Sequence, residues 1–257
     1  IPSLPGYVYA VKDNQVYVNL YLSNKAELIV NKKKVVLEQE TGYPWNGDIR
    51  VKVAQGNQEF ALKLRIPGWV RNEVLPSGLY SYADNQKPTY RIIVNGQETA
   101  NTLNNGYLSI ERKWKKGDVV KIHFDMLPRI VKANEKVVDD KGRVSVERGP
   151  IVYCAEWPDN KCNVHTVLLN QHPQFKVVEK PELLYGISQL KTDAQALSYD
   201  KNGKLITKDT ELTLIPYYAW AHRGEGDMKV WLPIDVSAAS ALPQEVQKWE
   251  DNGFFKN

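Results

Sequence analysis

Cys154, Cys162, His165 and His172 fall within one short stretch, and thiolates and imidazoles are the usual ligands of zinc. Their spacing does not suit that use. Structural zinc sites bring ligands as close pairs from one turn, whereas Cys154 ends the apolar run Pro150-Ile151-Val152-Tyr153-Cys154, where a free cysteine behaves as a small hydrophobe. A Cys154–Cys162 disulfide is another use of the same residues. Nucleophilic catalysis would require Ser or Cys beside a histidine that a carboxylate orients; no nucleophile elbow is present, and His123 and His222 lie within or beside strand patterns. Asp139, Asp140, Glu147, Glu156 and Asp159 crowd one region, and paired carboxylates are the usual device for cleaving a glycosidic bond. Nearness in sequence does not pair them in space. No residue of the chain is therefore assigned a catalytic, cofactor-binding or metal-binding role.

The basic run Asn31-Lys32-Lys33-Lys34 separates two strand-like segments and is read as a solvated hairpin turn rather than an anion site. Aromatic residues are plentiful, among them Tyr43, Trp45, Trp69, Trp114, Trp157, Tyr217, Tyr218, Trp220 and Trp231. Planar rings can stack on sugars, but sandwich cores use the same residues, and core packing is the preferred reading.

The elements that must carry these residues are strands. The first half alternates in period two at residues 15–21, 48–53 and 59–66. Turn chemistry falls between such runs at Asp13-Asn14, Asn31-Lys32, Gly56-Asn57, Asn95-Gly96, Asn104-Asn105-Gly106 and Lys116-Gly117-Asp118. Strand patterns resume at residues 143–146, 150–154, 174–178 and 211–218. Short strands with tight turns predict an all-β chain of antiparallel β-sandwich, jelly-roll-like modules. The pattern loosens between Asp125 and Gly142, which places module I at residues 1–132 and module II at 133–232. Residues 233–257 form a C-terminal tail with a short helix expected over 243–249, Pro243 lying in its first turn.

Composition limits the function classes. The 257 residues are long enough for two domains at roughly 100–200 residues each. A balance of 34 basic to 30 acidic residues, formally +4, is too small and too scattered to track phosphates, so nucleic acid is not an expected partner. No apolar run approaches the ~20 residues a membrane helix requires, so no membrane partner is expected. The opening Ile1-Pro2-Ser3-Leu4-Pro5-Gly6 has neither a start Met nor a signal pattern and runs into an expected strand over 7–11. The chain is thus expected to be part of something larger.

Several segments in combination point to a family. They are Leu4-Pro5-Gly6-Tyr7-Val8-Tyr9, Val18-Asn19-Leu20-Tyr21, Leu64-Arg65-Ile66-Pro67-Gly68-Trp69, Val94-Asn95-Gly96, Gly106-Tyr107-Leu108 and Trp114-Lys115-Lys116-Gly117-Asp118. Further along come Glu147-Arg148-Gly149-Pro150-Ile151-Val152-Tyr153-Cys154 and Ile215-Pro216-Tyr217-Tyr218-Ala219-Trp220-Ala221-His222-Arg223. In this order they resemble the C-terminal β-sandwich region of the β-L-arabinofuranosidase glycoside hydrolases, family 127 and its relative family 146, once grouped as a domain of unknown function. The longer segment 71–90 looks more like the family 146 branch.

The resemblance implies an (α/α)₆ catalytic barrel upstream of Ile1. There a zinc held by cysteines and a glutamate would support a cysteine nucleophile in retaining hydrolysis, with a second glutamate as acid/base. Cys154 matches the cysteine of the strand motif, not the catalytic pair. For this chain the resemblance implies a non-catalytic role: supporting the barrel, with a homodimer contact as a possible addition and arabinose-containing glycan met through the parent enzyme. A carbohydrate-binding module and a purely structural or interaction module are the alternatives. A periplasmic or secreted location is expected for the parent.

Overall fold

The alternating runs of the first half form strands with one buried row each. The structure is a computed structural model that describes residues 3–84, 86–99 and 102–239. Its chain divides into two units, Ile1–Pro76 with Gln86–Leu127, and Ser77–Asn85 with Pro128–Asn257.

The chain enters through one helical turn, α1 (Pro5–Val8), so the strand expected from Tyr7 begins two residues later. Pro5 suits a first turn because its missing N–H has no intrahelical acceptor there. Then follow β1 (Tyr9–Lys12), β2 (Gln15–Val18), β3 (Asn24–Val30), β4 (Lys33–Thr41), β5 (Asp48–Gln55), β6 (Asn57–Arg65) and β7 (Tyr80–Tyr82). After these come β8 (Tyr90–Val94), β9 (Gln97–Glu98), β10 (Leu103–Asn104), β11 (Tyr107–Lys115) and β12 (Val119–Phe124). All but β7 belong to the first unit, in two sheets of order β1-β2-β6-β11-β10 and β3-β4-β5-β12-β8-β9.

Phe60, Leu62 and Leu64 on β6 are buried while Glu59 and Arg65 are exposed; Ile49, Val51 and Val53 do the same on β5. Facing buried rows make a sandwich. Two polar groups inside it find partners there: the Trp114 indole donates to the Phe60 carbonyl (3.0 Å), and Gln58 donates to the Val30 carbonyl of the other sheet (3.3 Å). Asn95-Gly96 and Asn105-Gly106 adopt the consecutive positive φ values of a tight hairpin turn, as their residue types require.

The second unit adds β13 (Pro128–Ala133), β14 (Arg143–Arg148), β15 (Ile151–Glu156), β16 (Val167–Leu169), β17 (Lys176–Lys180), β18 (Ile187–Tyr199), β19 (Leu205–Pro216), β20 (Met228–Lys229) and β21 (Leu232–Pro233). With β7 at one edge they make a ten-stranded sheet. Its main core gathers Val146, Tyr153, Leu190, Leu212 and Leu214. A smaller core around Cys154, Ile187 and Ile215 occupies the opposite face, as alternation along β15 and β19 demands.

The module boundary expected at 132/133 falls inside β13. That strand pairs with β14 and β7, so the break lies between Leu127 and Pro128, and β7 crosses into the second unit from the middle of the first unit's sequence. At the other end, β21 pairs with Arg143 and Val144, Ile234 N–H bonds the Gly142 carbonyl, and Ala238 is buried. The described part of the expected tail is therefore packed on the second unit. The helix expected over 243–249 lies outside the described residues.

Candidate functional site

The zinc-type residues are kept apart. Cys154 is fully buried in the small core, and burial, with the charges of Glu156 and Asp159, pushes its thiol up to about 12. Cys162 packs against the main core, on the other side of the sheet, and burial raises its thiol too. Both cysteines are free, so the disulfide considered above does not form. His165 pairs with Asp227 (3.3 Å) and His172 is exposed. Among the described residues no group of three or more His, Cys, Asp or Glu converges on a point where a metal ion would sit. The residues present do not fit a zinc.

The carboxylates fare differently. Asp139 and Asp140 lie on a short 3₁₀ turn, Val138–Asp140, where burial raises Asp140. Glu147 on β14 accepts from the Tyr82 hydroxyl on β7 (3.1 Å); burial raises its pKa, against the pull of that hydrogen bond and of Arg129. Arg129 lies 3.5 Å from the Tyr82 ring centroid and pairs with Asp84 (2.9 Å).

Glu156 and Asp159, by contrast, are brought together. Arg223 Nη1 donates to Asp159 Oδ1 (2.8 Å), and Nη2 bonds both Asp159 and Glu156. Glu156, 2% exposed, also accepts from the Ala221 backbone N–H (2.9 Å), and Gln189 donates to Asp159 (3.2 Å). A guanidinium fork occupying both carboxylates is an ion-pair clamp, not an acid/base pair awaiting substrate. The Arg223 role escaped the sequence reading although the residue ends a quoted motif. The chain reaches Arg223 through a tight loop in which Ala221 has a φ of +66°.

The aromatics mostly enter cores. Trp114 and Trp69 are buried; Tyr43 is packed by Tyr21 and Phe124, and its hydroxyl accepts from the Trp69 indole (3.2 Å). Tyr80 and Trp231 stack on each other with centroids 5.6 Å apart, which spends their faces on one another. Trp45, Tyr217 and Tyr218 are half-exposed.

An unassigned groove of about 590 Å³ lies on the outer face of the first unit. Glu40, Asp48, Arg50, Arg91, Lys121 and His123 line it from β4, β5, β8 and β12, with Ile93 on its floor. His123, met above as a lone histidine, bonds Asp48 (2.7 Å) and lies 3.5 Å from Asp125. The loop 42–47 closes one end. Thr41 Oγ1 accepts from Tyr43 N–H and donates to the Asp48 carbonyl, and a Cβ on Gly47 would sit 1.9 Å from the Phe124 carbonyl oxygen. Glycine is what lets that loop lie against the end of β12.

The chain is thus two all-β units, with Cys154 buried in a core of the second and the Glu156 and Asp159 carboxylates held there by Arg223. Comparison gives the class. Residues 15–126 match the family described as β-L-arabinofuranosidase, GH127 middle domain, and residues 128–233 match the glycoside hydrolase family 127 C-terminal domain. The chain belongs to glycoside hydrolase family 127, of which it carries the middle and C-terminal domains.

It is 28% identical over 251 residues to a non-reducing end β-L-arabinofuranosidase of Bifidobacterium longum subsp. longum, covering 90% of this chain and 35% of that protein. A solved GH127 β-arabinofuranosidase shares 79% identity at a TM-score of 0.92, over 94% of this chain and 38% of the other. A GH127 β-L-arabinofuranosidase from Geobacillus stearothermophilus T6 shares 31% identity at a TM-score of 0.77, over 90% and 35%. The chain thus spans little more than a third of the length of these relatives.

Proposed function

We propose that this chain is the non-catalytic supporting region of a β-L-arabinofuranosidase-type enzyme, whose catalytic barrel precedes it and acts on arabinose-containing glycans. One observation carries the reading. Two family 127 domains follow one another over residues 15–233, and the solved relative at 79% identity is more than twice as long as the stretch they share. In this reading the partners are the barrel, a second copy of the enzyme, and the glycan met through the barrel, in a periplasmic or secreted setting. The zinc and the cysteine nucleophile belong to the barrel. When bound there, the metal lowers the pKa of the attacking thiol. The thiols of this chain, raised by burial, are unsuited to that attack.

The test compares zinc content and hydrolysis of p-nitrophenyl β-L-arabinofuranoside for this chain and for a protein extended upstream through the barrel. Zinc and activity in the longer protein alone are expected. Stoichiometric zinc or turnover in the short chain would overturn the reading.

A further inference from the structure

The outer groove of the first unit breaks a rule that the rest of the unit obeys. Residues directly opposite one another across paired strands stabilise a sheet when their charges differ and destabilise it when they match. Among the described residues of the first unit, directly opposed charges are of opposite sign at Lys25/Glu38, Glu38/Lys52, Glu40/Arg50 and Glu59/Lys113. At Arg50/Lys121 they are alike. Arg50 is compensated from its far side by Glu40 (2.9 Å), and Arg91, diagonal to Lys121, has Glu98 at 3.9 Å. Among the described residues Lys121 has no carboxylate within ion-pair distance, and it stands exposed in the groove between Arg50 and Ile93.

We infer that this groove is a glycan-binding site, and that it selects a saccharide bearing a carboxylate, a hexuronate, whose anion seats at Lys121 and Arg50. The inference rests on the glycan-active reading above for the class of ligand; the charge is read from the groove itself. The remaining lining suits a sugar acid better than a phosphate. Asp48 and Glu40 would repel the concentrated charge of a phosphate dianion more than a single carboxylate and accept hydrogen bonds from hydroxyls, and His123, held by Asp48, adds a further polar group. Ile93 offers a small apolar floor for a ring face, as in most sugar and small-molecule sites. The loop 42–47, fixed at Thr41 and Gly47, keeps that end of the groove in shape before any ligand arrives. A single uncompensated lysine is too little for nucleic acid, which needs a track of cations.

The test titrates a trimer of galacturonic acid and a neutral arabinotriose into this chain, followed by calorimetry and by NMR shifts of groove residues. The trimer acid is expected to bind more tightly than the neutral sugar and to weaken with added salt. Lys121→Gln, an exposed substitution that leaves the strand ladder intact, should weaken it by about tenfold. Absence of binding, or equal binding of both sugars unaffected by Lys121→Gln, would overturn the inference. So would binding that disappears in the upstream-extended protein, since the groove would then be a seat for another domain. Arabinofuranoside hydrolysis by the extended protein is scored separately. A hydrolase that ignores the uronate sinks only the groove, and a uronate binder without hydrolysis sinks only the enzyme reading.

Discussion

Arg223 holds two carboxylates that would otherwise be isolated charges in a largely dry place, since the side chains of Glu156 and Asp159 are only 3% and 8% exposed. Removing one partner of a buried pair leaves the other uncompensated, so Arg223→Ala should cost about 3–5 kcal/mol in denaturant unfolding. Arg223→Lys keeps the charge but loses the fork, and should fall between the variant and the parent. An Arg223→Ala protein as stable as the parent would show that the clamp contributes nothing. None of this was legible in the sequence: Arg223 lies 64 residues from Asp159 and 67 from Glu156, and only the topology of β15 and β19 brings their ends together. Glu147 gives the opposite pH behaviour to a paired carboxylate. Burial raises its folded pKa, so the folded state holds its proton longer than the unfolded chain and stability falls as pH climbs upward from about 4.5. Glu147→Gln keeps an acceptor for Tyr82 and removes the ionisation. Its unfolding free energy, measured across pH, should lack that decline and exceed the parent's at neutral pH.

At the scale of elements, the turns were the most legible part because their chemistry is local. The Asn-Gly turns at 95–96 and 105–106 have the backbone their residues favour, but Asn31-Lys32, joining β3 and β4, asks the same of a lysine, with φ of 62°. A left-handed lysine is strained where glycine is not, so Lys32→Gly should stabilise the protein by about 0.5–1 kcal/mol after glycine's own entropic cost. A shift of the urea midpoint upward, with unchanged slope, is the expected reading. The same position settles the basic run 31–34 as a hairpin turn and the start of β4. Less legible was β18, whose sequence Ile187-Ser188-Gln189-Leu190-Lys191-Thr192-Asp193-Ala194-Gln195-Ala196-Leu197-Ser198-Tyr199 is rich in helix formers. It is a strand because β19 pairs along it from Leu190 to Tyr199 while β17 and then β16 pair on its other edge. Pairing along both edges overrides local helix preference there.

For the whole molecule, the two-module reading follows from length and strand pattern, but the exchange of one strand does not. Residues 71–90 stood out only as a long segment. Three residues, Tyr80-Ser81-Tyr82, are too short for any period to register, yet β7 pairs with Val131, Lys132 and Ala133 at the edge of the second unit's sheet. It also brings Tyr82 and Asp84 to Arg129, which is 3% exposed. A cut between Leu127 and Pro128, the point that both family domains respect, therefore does not yield two complete pieces. The piece from 128 onward would lose the ring and a carboxylate that receive Arg129, and its β13 edge would be uncovered for pairing with other chains. It should be less stable than the same unit in the intact chain by about 3 kcal/mol, and prone to aggregate. A synthetic peptide of residues 77–85, or the same residues fused to its start, should restore both stability and solubility, with the Trp231 fluorescence reporting the return of Tyr80 against it. If the 128-onward piece is instead as stable alone as in the chain, β7 is a passenger on that sheet, and the two domains are separable where the family boundary divides them.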